Sequence, residues 1–281
     1  MPPGGGGHCS AVSSAADVLI VGAGIAGCEA AWRCAHAGLA VVLVTTNLDT
    51  VYTLASPAAA LAPPAGSLME RSIMGAGSSP STRSWDLHRA VKYELEATPA
   101  IHLLQSTVSD LLLDESGAVT GASTWEGVDR PAALTALCVG SFLRARLRSG
   151  EVTETHGRLS EMAYDDLYER LVALGFEFVP VRFTGPVSVT GEPCEGSVGY
   201  VVESVAFAPQ ERASPPDRPA SAALWRVRGL FAAGVCVSSP VGAESAVEVS
   251  YEQVARQGMA LGDELVATAR ASVGQSERGS V

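Results

Sequence analysis

The stretch that decides the fold is residues 17–27, which reads DVLIVGAGIAG. Its first part, residues 18–21, is a short, continuously apolar and β-branched run, typical of a strand buried on both faces of a parallel sheet. A glycine-rich turn and an alanine-rich stretch follow, and Gly38 stands where the C-cap of a helix belongs. A second apolar run covers residues 40–44. The sequence therefore predicts a βαβ unit with a right-handed crossover.

The three glycines of this stretch match the pattern GxGxxG directly after a strand and at the start of a helix. In that context the first glycine permits a tight turn, the second lets backbone approach a pyrophosphate, and the third lets the helix pack closely on the sheet. The free N–H groups and the dipole of the helix start hold the anion. We predict a pyrophosphate site formed by Gly22, Ala23, Gly24, Ala26 and Gly27.

The end of the second strand lacks the acidic residue that such sites place about 20 residues further on, where it binds a ribose hydroxyl. The chain has Thr45, Thr46 and Asn47 there. Their side chains hydrogen-bond without charge assistance, so we predict a weaker or less selective ribose contact at these three residues. Asp49 lies two to four residues beyond the position expected for the acidic residue. The sequence around it indicates a turn-forming residue as readily as a ligand.

The remaining strands distinguish FAD from NAD. Residues 108–113, 118–125 and 133–139 predict a β-meander whose last strand ends at Gly140. Residues 229–234 predict another strand that ends in glycine and leads into the last helix. A flavoprotein uses such a strand–turn–helix to approach the ribitol and the flavin, whereas a domain that binds only NAD does not need it. We therefore predict FAD as the cofactor, with Gly140, Gly234 and Val235 near the flavin.

The predicted fold class is α/β: a Rossmann-like FAD/NAD(P)-binding domain with a β-meander and a small truncated second lobe. We expect the FAD-binding domain at residues 17–150 and 225–271. A small substrate or cap lobe is expected at residues 151–224, with a mobile loop at 208–223. Residues 1–16 and 272–281 are expected to be disordered tails.

Composition excludes several classes of protein. The 281 residues carry 19 Lys and Arg against 30 Asp and Glu, and this net charge of −11 disfavours general nucleic-acid binding. Lys92 is the only lysine, so no Walker-type P-loop exists, and HExxH, CxxC and GxSxG patterns are also absent. The six cysteines lie dispersed in apolar surroundings, which favours a reducing cytoplasm. We predict a cytoplasmic protein with no metal site and no membrane segment.

Four segments resemble the successive signatures of the GidA/MnmG family. They are GAGIAGCEAA at 22–31, TNLDT at 46–50, VGSFL at 139–143 and SYEQVARQG at 250–258, in the family's order. Gly157 and Arg158 also stand where that family has a Gly-Arg-Ala-Gly segment. The family contains FAD-dependent tRNA-uridine modification enzymes, and this chain is most similar to the short GidA-related flavoproteins. The resemblance adds four residues to the predicted FAD contacts: Val108, Ser141, Phe142 and Tyr251.

Departures from the family limit what the resemblance implies. The family's catalytic cysteine lies in a Ser-Cys-Asn-Pro stretch, where this chain reads LASPA at 54–58. We find neither the family's C-terminal tRNA-binding region nor room for its inserted domain, so tRNA binding by this chain alone is not expected. Two functions stay open: an FAD-dependent oxidoreductase with an unknown small-molecule substrate or electron donor, or a non-catalytic FAD-binding accessory or sensing module. No catalytic residue is predicted.

Other chemically active side chains favour structural interpretations. Three histidines lack a partner at relay spacing and are interpreted as surface or core residues: His88, His102 and His156. Three arginines alternate along an extended segment: Arg144, Arg146 and Arg148. They could form a phosphate- or RNA-facing patch or a solvated strand edge, and we favour the strand edge. Cys28 and Cys236 lie near the expected cofactor, but their apolar surroundings predict buried, unreactive thiols.

Overall fold

This computed structural model describes residues 15–55, 58–76, 81–158, 161–185, 200–212, 221–237 and 250–278. The strands are β1 (Ala16–Val21), β2 (Val41–Thr45), β3 (Ala58–Ala59), β4 (Thr82–Arg83), β5 (Ile101–Gln105), β6 (Val108–Leu113), β7 (Val119–Thr124), β8 (Asp129–Leu137), β9 (Arg146–Ser149), β10 (Val152–Glu154), β11 (His156–Arg158), β12 (Glu161–Met162), β13 (Phe178–Gly185), β14 (Tyr200–Phe207) and β15 (Leu230–Ala232). The α-helices are α1 (Ile25–His36), α2 (Leu68–Ala76), α3 (Ser84–Glu96), α4 (Asp165–Ala173) and α5 (Tyr251–Arg278).

A seven-stranded sheet forms the centre of the fold. Its order is β5-β2-β1-β8-β7-β6, with β15 also paired to β8. Strands β5, β2, β1, β8 and β15 are parallel, whereas β6, β7 and the first part of β8 form an antiparallel meander. The carboxyl ends of the parallel strands therefore meet at one edge, which is where open α/β sheets bind ligands.

Strand β1 is buried on both faces, as its apolar run predicts. Val18 and Ile20 pack on one side with α1, α3 and α5, and Leu19 and Val21 pack on the other side with the meander and α4. All four side chains are fully buried. Alternation of side chains across a strand thus places this short segment between two hydrophobic layers.

The second lobe is small. It contains a four-stranded antiparallel sheet of order β10-β9-β14-β13, the β11–β12 hairpin and α4. Helix α4 begins at Asp165 and lies against β6 of the central meander. The predicted fold class, a Rossmann-like domain with a β-meander and a small second lobe, is confirmed.

Two predicted segments differ from the structure. The predicted mobile loop at 208–223 begins with a 3-10 helix, Pro209–Glu211. Glu211 is fully buried, and its carboxylate forms an ion pair with Arg226 at 2.6 Å. Residues 213–220 lie outside the described residues. Helix α5 continues to Arg278, past the predicted start of a tail at residue 272. The domain boundaries themselves stay a prediction. Among the described helices, none combines the length and apolar character needed to cross a membrane.

Candidate cofactor site

A cleft lies over the carboxyl ends of β1, β2, β8 and β15, between the central sheet and the second lobe. It contains about 1290 Å³ of empty volume, including the part open to solvent. Its lining residues come from the glycine-rich turn after β1, the end of β2, the segment after β8, the second lobe and the start of α5.

The glycine-rich turn forms the floor of the cleft. Gly22 has φ +103°, and a β-carbon there would lie 2.3 Å from the carbonyl oxygen of Cys138. A β-carbon on Gly27 would lie 1.9 Å from the carbonyl oxygen of Gly22. Only glycine is compatible with these approaches, so both residues set the close contact between α1 and the sheet.

The N-terminus of α1 is open toward the cleft. Gly24 is its N-cap and lines the cleft, and a β-carbon on Gly24 would have nothing within 4 Å. No side chain caps this helix, and its first turn contains no acidic residue. The first N–H groups of a helix lack intrahelical partners and attract anions, so this turn can hold a phosphate.

Three residues at the end of β2 are predicted to contact ribose, and two of them, Thr45 and Thr46, line the cleft. Asn47 does not, because its amide oxygen accepts the backbone N–H of Asp49 at 2.9 Å and caps the 3-10 helix Leu48–Thr50. Asp49 is exposed and forms part of this turn. The turn-forming interpretation of Asp49 is therefore the one that agrees with the structure.

The segment after β8 forms one wall of the cleft. Gly140, Ser141 and Phe142 all line it, and Gly140 has φ +56°. A β-carbon on Gly157 would lie 2.2 Å from the Phe142 ring, so the glycine of β11 leaves room for this aromatic side chain. The Ser141 hydroxyl donates to the Gly157 carbonyl at 3.5 Å. The second lobe is thereby held against the end of β8.

The opposite wall comes from the C-terminal part of the chain. Gly234, Val235 and Tyr251 line the cleft. The hydroxyl of Tyr251 accepts the backbone N–H of Ala55 at 3.1 Å. Next to it, the Glu252 carboxylate accepts the N–H of Ala62 at 3.0 Å, and this hydrogen bond lowers the pKa of Glu252. The start of α5 therefore positions the loop that follows β2.

Val108 does not line the cleft. It is buried in β6, inside the hydrophobic layer on the meander side of the sheet. Gly27 also lies beneath the cleft surface, where its role is packing. The cleft brings together twelve of the predicted residues: Gly22, Ala23, Gly24, Ala26, Thr45, Thr46, Gly140, Ser141, Phe142, Gly234, Val235 and Tyr251.

A polar corner of the cleft was not predicted from the sequence. It is formed by Thr50 and Thr53, which follow β2, and by Arg158 and Glu161 of the β11–β12 hairpin. The Thr50 hydroxyl donates to Glu161 Oε2 at 3.2 Å, and Arg158 donates to Thr53 Oγ1. Burial raises the pKa of Glu161, and the positive charge of Arg158 and the Thr50 hydrogen bond partly oppose that rise. We call these four residues the Glu161 corner.

A buried carboxylate supports the cleft from behind. Glu29 of α1 is only 1% exposed and accepts the Tyr52 hydroxyl at 2.5 Å. It also accepts the backbone N–H groups of Leu68 and Met69, at 2.8 and 2.9 Å. Tyr52 has φ +56°, and its own N–H donates to the carbonyl of Ala23 at 2.9 Å. Glu29 thus links the glycine-rich turn, the loop after β2 and the start of α2.

The described cysteines are buried free thiols: Cys28, Cys34, Cys138 and Cys236. Cys28 donates to the Ala23 carbonyl at 3.2 Å, and Cys236 donates to the Ala233 carbonyl at 3.3 Å. Burial raises the pKa of both, that of Cys236 to about 12. Both thiols are therefore protonated at neutral pH, in agreement with the structural interpretation.

The three arginines of the second lobe pair with neighbours on its own surface. Arg146 lies 3.0 Å from Asp165, and Arg148 lies 3.4 Å from Glu203. Arg144 precedes β9 with φ +48°, and its guanidinium lies over the Tyr168 ring. Strand β9, which carries Arg146 and Arg148, pairs with β10 on one side and β14 on the other, so the predicted strand edge is wrong. The ion pairs to Asp165 and Glu203 disfavour a phosphate- or RNA-facing patch.

Comparison with known proteins gives a consistent family signal. The family model for glucose inhibited division protein A matches residues 17–81 and 75–203. The tRNA uridine 5-carboxymethylaminomethyl modification enzyme MnmG of Chlamydia felis is 31% identical over 229 residues, which cover 69% of this chain and 37% of that protein. MnmG of Cytophaga hutchinsonii is 31% identical over 209 residues, covering 65% of this chain and 33% of that protein. The chain thus spans about a third of the length of these relatives.

Solved structures agree with this signal. The GidA-related protein from Thermus thermophilus is 37% identical with a TM-score of 0.75, and the match covers 91% of this chain and 100% of that one. GidA of Aquifex aeolicus is 15% identical with a TM-score of 0.73, covering 92% of this chain and 64% of that one. The second likeness concerns the fold alone.

Proposed function

This chain belongs to the GidA family, and from that premise we propose that it binds FAD noncovalently in the cleft and acts as an oxidoreductase. The proposed substrate is a small molecule. FAD would supply the electron chemistry, and the protein would supply binding and orientation.

The observation that carries the proposal is the uncapped N-terminus of α1 beneath an open Gly24. A phosphate anion would complete this helix end, because no side chain occupies it and the first turn carries no negative charge. The rest of the cleft suits an extended cofactor. Thr45 and Thr46 would contact a ribose, and Gly140, Gly234 and Tyr251 would lie along the path to the flavin.

The reaction named in the MnmG relatives concerns tRNA uridine. This chain matches about a third of their length, and we propose a relation to their chemistry without the complete tRNA reaction. The proposed location is the cytoplasm, and the four buried free thiols are compatible with a reducing compartment.

The test is a spectrum of the purified protein, followed by titration of the apoprotein with FAD. We expect flavin absorbance as purified, or saturable uptake of one FAD per chain. The matched competitor is ADP, which carries the adenosine and the pyrophosphate without the flavin, and which should displace FAD. A protein that neither contains flavin nor takes it up would refute the proposal.

A non-catalytic accessory or sensing module is the second candidate, and one observation favours it. Among the described residues that line the cleft, Cys138 is the single cysteine, and it is 6% exposed with its pKa raised by burial. The described residues of the cleft therefore provide no thiol nucleophile. Bleaching of bound flavin by a reductant, followed by reoxidation with a defined acceptor through many cycles, would support the oxidoreductase. A flavin that no physiological reductant bleaches would support the module.

A further inference from the structure

The Glu161 corner contains a carboxylate oxygen that lacks a hydrogen-bond partner within the described part of the chain. This atom is Glu161 Oε1. The Glu161 side chain is only 6% exposed, and it lines the cleft. Its other oxygen accepts the Thr50 hydroxyl. Buried polar atoms are nearly always hydrogen-bonded, since leaving one unsatisfied is unfavourable, so Oε1 indicates a missing donor.

Arg158 places a donor beside this acceptor. A guanidinium nitrogen of Arg158 lies 3.5 Å from Glu161 Oε1, close enough for an ion pair without a hydrogen bond. The same group donates to Thr53 and lies over the Phe142 ring, 5.9 Å from its centroid. A guanidinium has five N–H donors, so it can also serve a ligand that enters the cleft.

Aromatic side chains flank the pair. Phe142 and Tyr164 both line the cleft, with ring centroids 6.5 Å apart in an edge-on arrangement. Phe183 and Tyr200 of the second sheet line the same cleft. A flat ring would be favoured between such walls, because aromatic groups bind one another through stacked and edge-on contacts.

We propose that the Glu161 corner is a second ligand subsite that binds the amide edge of a planar ring. The ring's N–H would donate to Glu161 Oε1, and its adjacent C=O would accept from Arg158. Primary carboxamides on an aromatic ring and cyclic lactams share this edge. The inference rests on the proposed function: the pyrophosphate of FAD is proposed on the glycine-rich turn, and the corner lies on the second-lobe wall of the same cleft. The flavin ring has an N–H beside a C=O as well, so the FAD affinity of a Glu161 variant must distinguish the cofactor from a second ligand.

The experiment uses the FAD-loaded full chain and two probes, nicotinamide and 2-pyridone, read by perturbation of the flavin absorbance. Each probe has a matched control that lacks the N–H donor: N,N-dimethylnicotinamide and N-methyl-2-pyridone. We expect each N–H probe to bind about tenfold more tightly than its methylated control, because a hydrogen bond to a charged group is lost on methylation. This comparison needs no variant. Equal affinities, or no perturbation by any probe, would overturn the subsite, and a stronger response to one N–H probe identifies the class of amide.

Two variants then assign the contact. Glu161→Leu removes the acceptor and should abolish the preference for the N–H probes, while Glu161→Gln keeps an acceptor oxygen and should retain part of it. Glu169→Leu, on an exposed position of α4, is the control and should bind all probes like the parent protein. A loss of FAD affinity in Glu161→Leu as large as the loss of probe affinity would assign Oε1 to the cofactor and overturn the proposal. Failure to take up FAD, seen before any probe is added, would refute the proposed function and the subsite with it.

Discussion

Gly258 of α5 lies so close to Ala26 of α1 that a β-carbon on Gly258 would be 2.4 Å from the Ala26 carbonyl oxygen. A β-carbon on Gly234 would lie 3.0 Å from the Ala26 methyl group. The first turn of α1 is therefore fixed by two glycines that are more than 200 residues distant in sequence. Because that turn is the proposed pyrophosphate site, the C-terminal part of the chain determines its position.

Gly258→Ser should destabilise the protein and weaken FAD binding together. The added side chain collides with backbone, which cannot move as a flexible side chain can, and overpacking of this kind costs about 1–3 kcal/mol in free energy of unfolding. Urea denaturation and FAD titration measure the two effects. Ala260→Ser introduces the same side chain on the exposed face of α5 and should change neither. Wild-type stability in Gly258→Ser would contradict the packing.

Gly24→Val and Gly27→Val should fail in different ways. Gly24 has open space around it, so valine there should leave the fold intact and reduce FAD content severely, because the branched side chain occupies the place where a phosphate approaches. A side chain on Gly27 would meet backbone at 1.9 Å, so that variant should not fold. Circular dichroism and flavin content separate the two outcomes. Full FAD content in a folded Gly24→Val variant would show that the pyrophosphate does not bind at this turn.

The glycine-rich turn could be predicted because its signal is local. The spacing of the three glycines between an apolar strand and a helix identifies the turn, although the backbone that Gly22 approaches, at Cys138, comes from a distant part of the chain. Asn47 was predicted to contact ribose, but its amide caps the turn that follows, which is a local use that competes with binding. Val108 was placed in the site by family resemblance, whereas its side chain faces the core.

The Glu161 corner and α2 could not be predicted, since both depend on tertiary contacts. Thr50 and Glu161 are 111 residues apart, and no pattern in either segment indicates the other. Helix α2 lies in a stretch rich in Pro, Ala and Gly that reads as irregular. Its first N–H groups donate to Glu29, so the acceptor that caps it comes from α1.

The four described cysteines should resist alkylation in the native protein. Burial raises the pKa of Cys34 and of Cys236 to about 12, so at pH 8 almost none of either thiol is ionised. Peptide mass spectrometry after iodoacetamide treatment should find these cysteines modified only after unfolding. Cys28→Ala and Cys236→Ser should retain FAD and an unchanged flavin spectrum. Loss of a charge-transfer band or of photoreduction in either variant would show that a thiolate contacts the flavin.

This chain alone should bind tRNA more weakly than micromolar at physiological salt. Affinity for a polyanion comes largely from counterion release by clustered cations, and the chain has 19 cationic against 30 acidic residues. Filter binding or anisotropy across a salt series measures the affinity, and the slope with salt should be shallow. Micromolar binding, or restoration of the modified uridine in a strain that lacks the full-length enzyme, would contradict this prediction.

The contribution of Glu161 to the stability of the apoprotein should decrease as pH rises. Burial raises the pKa of its carboxyl above the ordinary value of 4.5, so the folded state holds this proton more tightly than the unfolded state. The stability from Glu161 is therefore fully present below about pH 4.5 and is lost as pH rises through the folded pKa. In Glu161→Gln this loss cannot occur.

The difference in unfolding free energy between Glu161→Gln and the parent should shift in favour of the variant between pH 4.5 and neutral pH. Urea denaturation at several pH values measures it, and Glu169→Gln controls for the removal of one exposed negative charge. If this difference in unfolding free energy does not change with pH, or shifts in favour of the parent, the ionised carboxylate is already stabilised in the folded protein and does not lack a hydrogen-bond donor.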